Sequence, residues 1–341
     1  MKEMTSDERL IAVLENKIPD RVPVFEWLID KGVTEALCPG GTVEDLAYKI
    51  GLDAFNVECN YEKKMINETD YQDEWGMIKR DSGESHPFPV DGPIQTLEDA
   101  ENYVPPAADK SGRFASVEKA VKEHNGKKSL MLHLNDVYSI PSRLMPYEDF
   151  LISIMNQPEM IKILVAKSVD ANLALAKEAV QRGIKFVWTG DDYAYNNGLM
   201  FPPAKFDEIF APELKRVMQG FKELGLYVIK HTDGDIMSII DTIIESGIDC
   251  IDPIDPLAGM DLAHIKKTYG NRVAIKGNVE CAETLSFRTV EETIAETRAC
   301  LKIGMPEGGY ILSSSNSIHS AVKPENFLAM VETVHKYGKY Q

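Results

Sequence analysis

From residue 129 to the C-terminus, short apolar runs alternate with longer stretches whose apolar positions recur at helical spacing. That alternation is the pattern of parallel strands joined by crossover helices. Residues 129–134, 184–189, 226–231, 248–252, 273–277 and 310–314 read as buried strands, several of them closing on a polar side chain. The stretches between them carry stop signals, since 203–224 ends at Gly225, 236–246 at Gly247 and 261–269 at Gly270. Glycine leaves a helix through a left-handed turn at little cost. Two upstream runs, 22–26 and 53–59, bring the strand count to eight. Eight such strands predict an α/β fold of the (β/α)8 TIM-barrel type, with an open doubly wound sheet plus a small extra domain as the alternative.

Residues 1–20 are charged and helix-prone, which predicts an N-terminal helical extension. Between the second and third strands, residues 73–80 read as a hairpin strand and the proline-rich stretch 87–106 as a long excursion, so an insertion is expected there. No Gly/Ser or charge-block linker divides the chain, and one barrel domain over residues 1–341 is the expectation.

With 341 residues, 44% of them apolar, the chain can bury a large core. A formal charge of −17 opposes polyphosphate partners, so nucleic acid is not expected to bind. No apolar stretch reaches the roughly 18 residues of a membrane span. The first residues lack a basic start followed by an apolar run, and a cytoplasmic protein without membrane partners is expected. The five cysteines are scattered and form no CxxC, the pattern of reduced thiols rather than of a disulfide framework.

In a barrel the strand ends converge on one mouth, and here they are polar. The candidates are Glu26, His133, Asp191, Asp192, His231, Asp233, Asn278, Glu280, Cys281, Asn316 and His319. Strand ends are also turns and helix starts, where Asp and Asn are ordinary residues. Asp235 and Asp261 fit helix caps, and Asp252 and Asp255, beside Pro253 and Pro256, fit turns as well as a site. His231 and Cys281 are not favoured caps, and with Asp233 or Glu280 as third ligand they make a metal set of the kind zinc takes. In GDDYAYNNG, residues 190–198, successive side chains of an extended chain point to opposite sides, so one of Asp191 and Asp192 faces the mouth while the other holds a loop. A carboxyl packed on Trp188, Tyr193 and Tyr195 would serve as general acid or base, or else as a hydrogen-bonded structural group. SSSNSIHS, residues 313–320, lacks the GxSxG turn of a serine hydrolase, though its N–H groups suit an anion.

Taken together, GDD at 190–192, HTDGD at 231–235, DPIDPLAGMDL at 252–262 and GNVEC at 277–281 resemble the uroporphyrinogen decarboxylase superfamily. The resemblance covers most of the chain and is best from Gly190 onward. It implies a barrel and one of two chemistries, porphyrin decarboxylation or cobalamin-linked methyl transfer. The decarboxylases carry an RQAGRY-type arginine segment that clamps substrate propionates. Here that strand reads PVFEWLID, with Glu26 in its place, and the clamp is absent.

The methyltransferases of the superfamily hold zinc through a His-x-Cys pair and a later Cys. His231 matches the first position, Asp233 stands at the second, and the third falls near Asn316. Cys281 offers a thiolate instead, which gives a set of His231, Cys281 and a carboxylate. The resemblance thus implies a methyltransferase that moves a methyl group from a small methoxy-aromatic donor to the cobalt of a corrinoid carried on a separate protein. Zinc or a carboxylic acid would activate the ether oxygen. In that role Asp191, Asp192 and Glu280 are the catalytic carboxyls, and His231, Asp233 and Cys281 hold the metal. Glu26, His133, Trp188, Tyr193, Tyr195, Asn278, Asn316 and His319 line the substrate. A homodimer is a compatible assembly. The alternatives are a decarboxylase of another acid and a non-catalytic barrel that binds a small ligand.

Overall fold

The computed structural model describes residues 2–83 and 87–340, so Met1, residues 84–86 and Gln341 of the expected domain span lie outside the described residues. Among the described residues, seven strands pair in parallel in chain order: Ala54–Val57, Ser129–Leu134, Phe186–Gly190, Tyr227–His231, Cys250–Asp252, Ala274–Lys276 and Tyr310–Ile311. Each lies within a run read as a strand from its apolar pattern, give or take one residue. The eighth run, 22–26, completes the circle without forming a regular strand. Val24 bridges Leu312 in parallel on one side, and its carbonyl accepts the Asp53 N–H on the other. Pro23 contributes only a carbonyl, which accepts from the Leu312 N–H, so the ladder is interrupted where the ring lacks a donor.

The seam is reinforced by charge. The buried Asp53 carboxylate accepts the Val24 N–H at 2.8 Å and pairs with Arg9 at 2.7 Å and Arg21 at 2.8 Å. Arg9 belongs to the expected N-terminal helix, Ser6–Leu14, which a capping box between Thr5 and Glu8 starts. Leu10, Val13 and Leu14 of that helix share a core cluster with an interior residue from each stave, Phe25, Ala54, Met131, Phe186, Ile229, Cys250, Ala274 and Ile311, and with Trp188 above Phe186. The extension is therefore packed against the apolar ring inside the barrel. The crossover helices cover the outer face of the sheet, where Val228, Ile251 and Ile275 meet Leu164, Leu214 and Ile243 in a second core.

The insertion between the second and third staves is a four-stranded antiparallel sheet, Lys63–Met65, Asp70–Asp73, Ile78–Arg80 and Phe88–Asp91, followed by the helices Leu97–Asn102 and Ala115–His124. The expected hairpin at 73–80 turns because Asp73 accepts the N–H groups of Trp75 and Met77. Two expectations about helices change. The 203–224 helix contains a π turn at Phe206–Phe210, and the helix expected at 236–246 spans only Ile240–Glu245. Asp235 accordingly does not cap it; its carboxylate holds the Met237 N–H in the turn before it. Asp261 does cap Leu262–Tyr269, through the His264 N–H. Among the described residues no helix is long and apolar enough to cross a membrane.

Candidate active site

Side chains alternate across a strand, so the residue two places beyond each member of the interior apolar ring faces the same interior, nearer the mouth. Those residues are Trp27, Asn56, His133, Trp188, His231, Asp252, Lys276 and Ser313. An apolar floor thus carries an aromatic and charged storey. Trp27 stacks on Trp188 with ring centroids 4.8 Å apart and planes 10° off parallel, and the His231 ring lies 4.8 Å from that of Trp188. The His133 ring also packs against Trp188, at 5.1 Å, and its Nδ1 lies 3.3 Å from Glu58.

His231 is the centre of the polar storey. Its ring is buried, with Nδ1 3.0 Å from Asp252 Oδ2 and Nε2 3.4 Å from Asp233 Oδ1 and 3.7 Å from Asp192 Oδ1. Burial alone would lower its pKa, but the carboxylates of Asp233 and Asp252 outweigh it and raise the value to about 10. Asp252 is buried as well, which disfavours its charge, yet Lys276 at 2.8 Å and His231 hold it well below the ordinary carboxylate range. Asp192 is shifted upward by loss of solvent and by the nearby Asp233.

One ligand atom each from Asp192, His231 and Asp233 lie within 4.8 Å of one another. Asp233 Oδ1 is buried and has no hydrogen-bond partner, while Oδ2 accepts from Asn316 Nδ2 at 2.5 Å. A buried carboxylate oxygen without a hydrogen bond, 3.4 Å from an imidazole nitrogen and beside a second carboxylate, fits a divalent cation. The donors are nitrogen and oxygen throughout, a set open to zinc and to harder first-row ions. The glycine of HTDGD lets this loop close. Gly234 has φ +85°, and a Cβ there would stand 2.8 Å from the backbone of Ala194 and Tyr195.

The remaining candidates distribute unevenly. Asp191 points away from Asp192, into the layer between sheet and helices. There it accepts from Asn135 at 3.0 Å and from the N–H groups of Asp136 at 3.1 Å and Tyr138 at 2.6 Å. Burial would raise its pKa, but Lys230 and these hydrogen bonds bring it to about 2. Tyr193 is buried in the same layer, its hydroxyl on Asp136 at 2.5 Å and the Lys230 ammonium 4.3 Å over its ring. Tyr195 is 54% exposed on the small hairpin of Ala194–Tyr195 and Gly198–Leu199.

Glu280 caps the π turn Cys281–Leu285, its carboxylate accepting the N–H groups of Ala282, Glu283 and Thr284. Cys281 lies outside the Asp192, His231 and Asp233 group; its thiol accepts from Ser315 at 3.5 Å, and burial pushes it up to about 11. Asn278 donates to the Ile254 carbonyl at 2.7 Å, and His319 Nδ1 receives the Ala321 N–H at 3.3 Å, both local structural bonds. Glu26 is buried near the mouth, with one oxygen on the Ser314 N–H and the other on its hydroxyl, each at 2.7 Å. Burial raises it to about 7 against the pull of Lys276.

Trp27 and Lys276 belong to the storey around His231 and were not among the expected site residues, while Asp252 was read as equally a turn residue. Counting two places onward from the apolar interior residue of each run locates all three.

The sequence model of the uroporphyrinogen decarboxylase (URO-D) family matches residues 79–337. The chain is 23% identical over 193 residues to a uroporphyrinogen decarboxylase of Azoarcus sp., an alignment covering 54% of this chain and 50% of that protein. It is 21% identical over 247 residues to a methylated-thiol–coenzyme M methyltransferase of Methanosarcina mazei, covering 71% of this chain and 64% of the relative. The chain thus spans between half and two thirds of the length of these two relatives. A solved methyltransferase structure from Methanosarcina mazei superposes with a TM-score of 0.80 at 17% identity, over 98% of this chain and 99% of that one, and shows the same fold.

Proposed function

The chain belongs to the uroporphyrinogen decarboxylase (URO-D) family, and from that membership we propose that it is a methyltransferase of one barrel domain. It takes a methyl group from a small methoxy-aromatic donor and passes it to the cobalt of a corrinoid held on a separate protein. The observation that carries this reading is the convergence of Asp192, His231 and Asp233, with the buried Asp233 Oδ1 making no hydrogen bond and facing His231 Nε2 at 3.4 Å. Similarity to methyltransferases in sequence and fold supports it.

Cleaving an aryl ether methyl bond by a nucleophile leaves a phenoxide, which departs slowly without help at its oxygen. Asp192, His231 and Asp233 would hold a divalent ion, which would supply Lewis acidity at that oxygen. An oxygen and nitrogen donor set suits an oxygen-bearing substrate better than a thiol, in keeping with the replacement of both cysteine positions by Asp233 and Asn316. Trp27, half-buried and stacked on the buried Trp188, would offer its outer face as a flat apolar wall for an aryl ring. Burial raises the Glu26 pKa to about 7, so this carboxyl would hold a proton near the mouth over part of the neutral range.

The test is to assay purified protein for bound divalent metal and for methylation of cob(I)alamin by 2-methoxyphenol, beside a His231→Ala variant. Metal and methylcobalamin present in the first and lost in the second support the proposal. No more metal than the variant holds, with no methylcobalamin formed, overturns it. Carbon dioxide release without corrinoid would instead favour decarboxylation of another acid.

A further inference from the structure

Resting on the reading of Asp192, His231 and Asp233 as a metal-holding group, we infer that Asp252 and Lys276 are positioning residues, which fix a proton on Nδ1 of His231 and so commit Nε2 to the ion. The three side chains come from three adjacent staves at one level of the barrel. His231 is the register partner of Asp252, and Lys276 follows Ile275, whose partner is Ile251, the residue before Asp252.

The Asp252 carboxylate is surrounded by donors. Lys276 Nζ donates to Oδ1 at 2.8 Å, and Trp188 Nε1 donates to Oδ2 at 3.0 Å, the same oxygen that faces His231 Nδ1 at 3.0 Å. An ammonium and an indole N–H carry no acceptor, so between them they hold Asp252 as an ionised, acceptor-only carboxylate. The imidazole nitrogen facing it must then be the donor. With Nδ1 held by Asp252, the Nε2 edge of the ring faces Asp192 and Asp233, at 3.7 and 3.4 Å, and Nε2 is the nitrogen that would give up its proton to an ion. Rotation is also restrained, because the His231 ring packs against both Trp188, at 4.8 Å, and Trp27, at 5.8 Å.

Packing does not call for this arrangement. Lys276 and Asp252 are both buried in the barrel interior, just above an apolar ring that fills the space below. A buried ion pair stabilises a fold no better than apolar side chains of the same volume, and often less well. What the pair does in this place is orient the histidine. A carboxylate behind a ligating histidine sets its tautomer and direction, and losing such a partner lowers metal affinity by about 10–100-fold.

The test uses the full chain with 15N-labelled histidine and the double variant D252N/K276M, which removes both charges and leaves no unpaired ion in the interior. Three readouts are taken: the protonation of His231 Nδ1 by NMR, the Zn2+ binding isotherm, and the melting temperature without metal. Wild type should show a protonated, hydrogen-bonded Nδ1. The double variant should lose that signature and bind Zn2+ about 10–100-fold more weakly while melting as wild type does. Unchanged Zn2+ affinity in the folded double variant, or an unprotonated Nδ1 in wild type, overturns the inference. A wild type that shows the Nδ1 signature, lost in the variant, yet takes up no Zn2+ overturns the metal reading and leaves the positioning of His231 standing. Should the double variant fail to fold, Lys276→Met alone carries the same comparison.

Discussion

Asp191 and Asp192 are neighbours in the chain and serve opposite sides of the barrel wall. Asp191 is sealed among Asn135, Asp136 and Tyr138, while Asp192 Oδ1 lies 3.7 Å from His231 Nε2. The two conservative amide variants should therefore separate stability from chemistry. Asp191→Asn turns a buried acceptor of two backbone N–H groups into a poorer one, a loss of roughly 1.5–3 kcal/mol. Asp192→Asn should leave the melting temperature within experimental scatter and lower bound metal and turnover. Thermal melts and metal content of the pair decide it, and the reverse assignment would mean that the wrong carboxyl has been placed in the site.

Glu26 ties stability to pH. Its pKa in the folded chain is raised to about 7 from an ordinary 4.5, so between those values the folded state binds the extra proton. Stability from this group is complete below the unfolded value and is lost as pH rises through 7, at most about 3 kcal/mol. Asp136 runs the same way, since burial and the neighbouring Asp191 raise it to about 7. Glu26→Gln should remove one of these two contributions and flatten the fall in denaturation free energy between pH 5 and about 8. An unchanged slope would show that Glu26 is ionised in the folded chain.

Much of this architecture is legible from apolar runs because a parallel stave is buried on both faces and so reads as continuous hydrophobic sequence. The runs 129–134 and 226–231 coincide with strands to within one residue for that reason. Where a side chain breaks the ladder, the reading loosens, as at Pro23. The site was partly legible too. Alternation along 190–192 separates Asp191 from Asp192, and HTDGD marks His231 and Asp233. Cys281 drew attention as a thiol, but the π turn that Glu280 caps carries it to Ser315 and outside the carboxylate and histidine group. Trp27 escaped because it lies one residue past the run 22–26, and Lys276 because it is a lone lysine inside the run 273–277, although both stand on the interior face.

Asp53 tests how the ring closes. Its carboxylate joins Arg9 of the N-terminal helix, Arg21 and the Val24 N–H, all at the seam where the 22–26 segment replaces a regular strand. Asp53→Asn leaves two guanidinium groups short of their buried counter-charge, which should cost about 3–5 kcal/mol. The loss should be local first, seen as faster hydrogen exchange at Val24 and Leu312 than at Val228 on the far side of the barrel. Uniform acceleration at all three would show that the seam has no independent weakness.

Cys281 separates two ligand sets that the sequence alone left open. If a thiolate completes the site, Cys281→Ala should abolish metal binding, as His231→Ala does. The geometry argues otherwise. The thiol is pushed up to about 11 by burial, accepts from Ser315, and lies outside the cluster in which Asp192, His231 and Asp233 converge within 4.8 Å. Cys281→Ala should therefore keep its full complement of metal, at a cost of about 1 kcal/mol for the small cavity left behind. Metal analysis and a thermal melt of that single variant, set beside Asp233→Asn, are sufficient: loss of metal in the cysteine variant and retention in the aspartate variant would move the site from the carboxylates to the thiol.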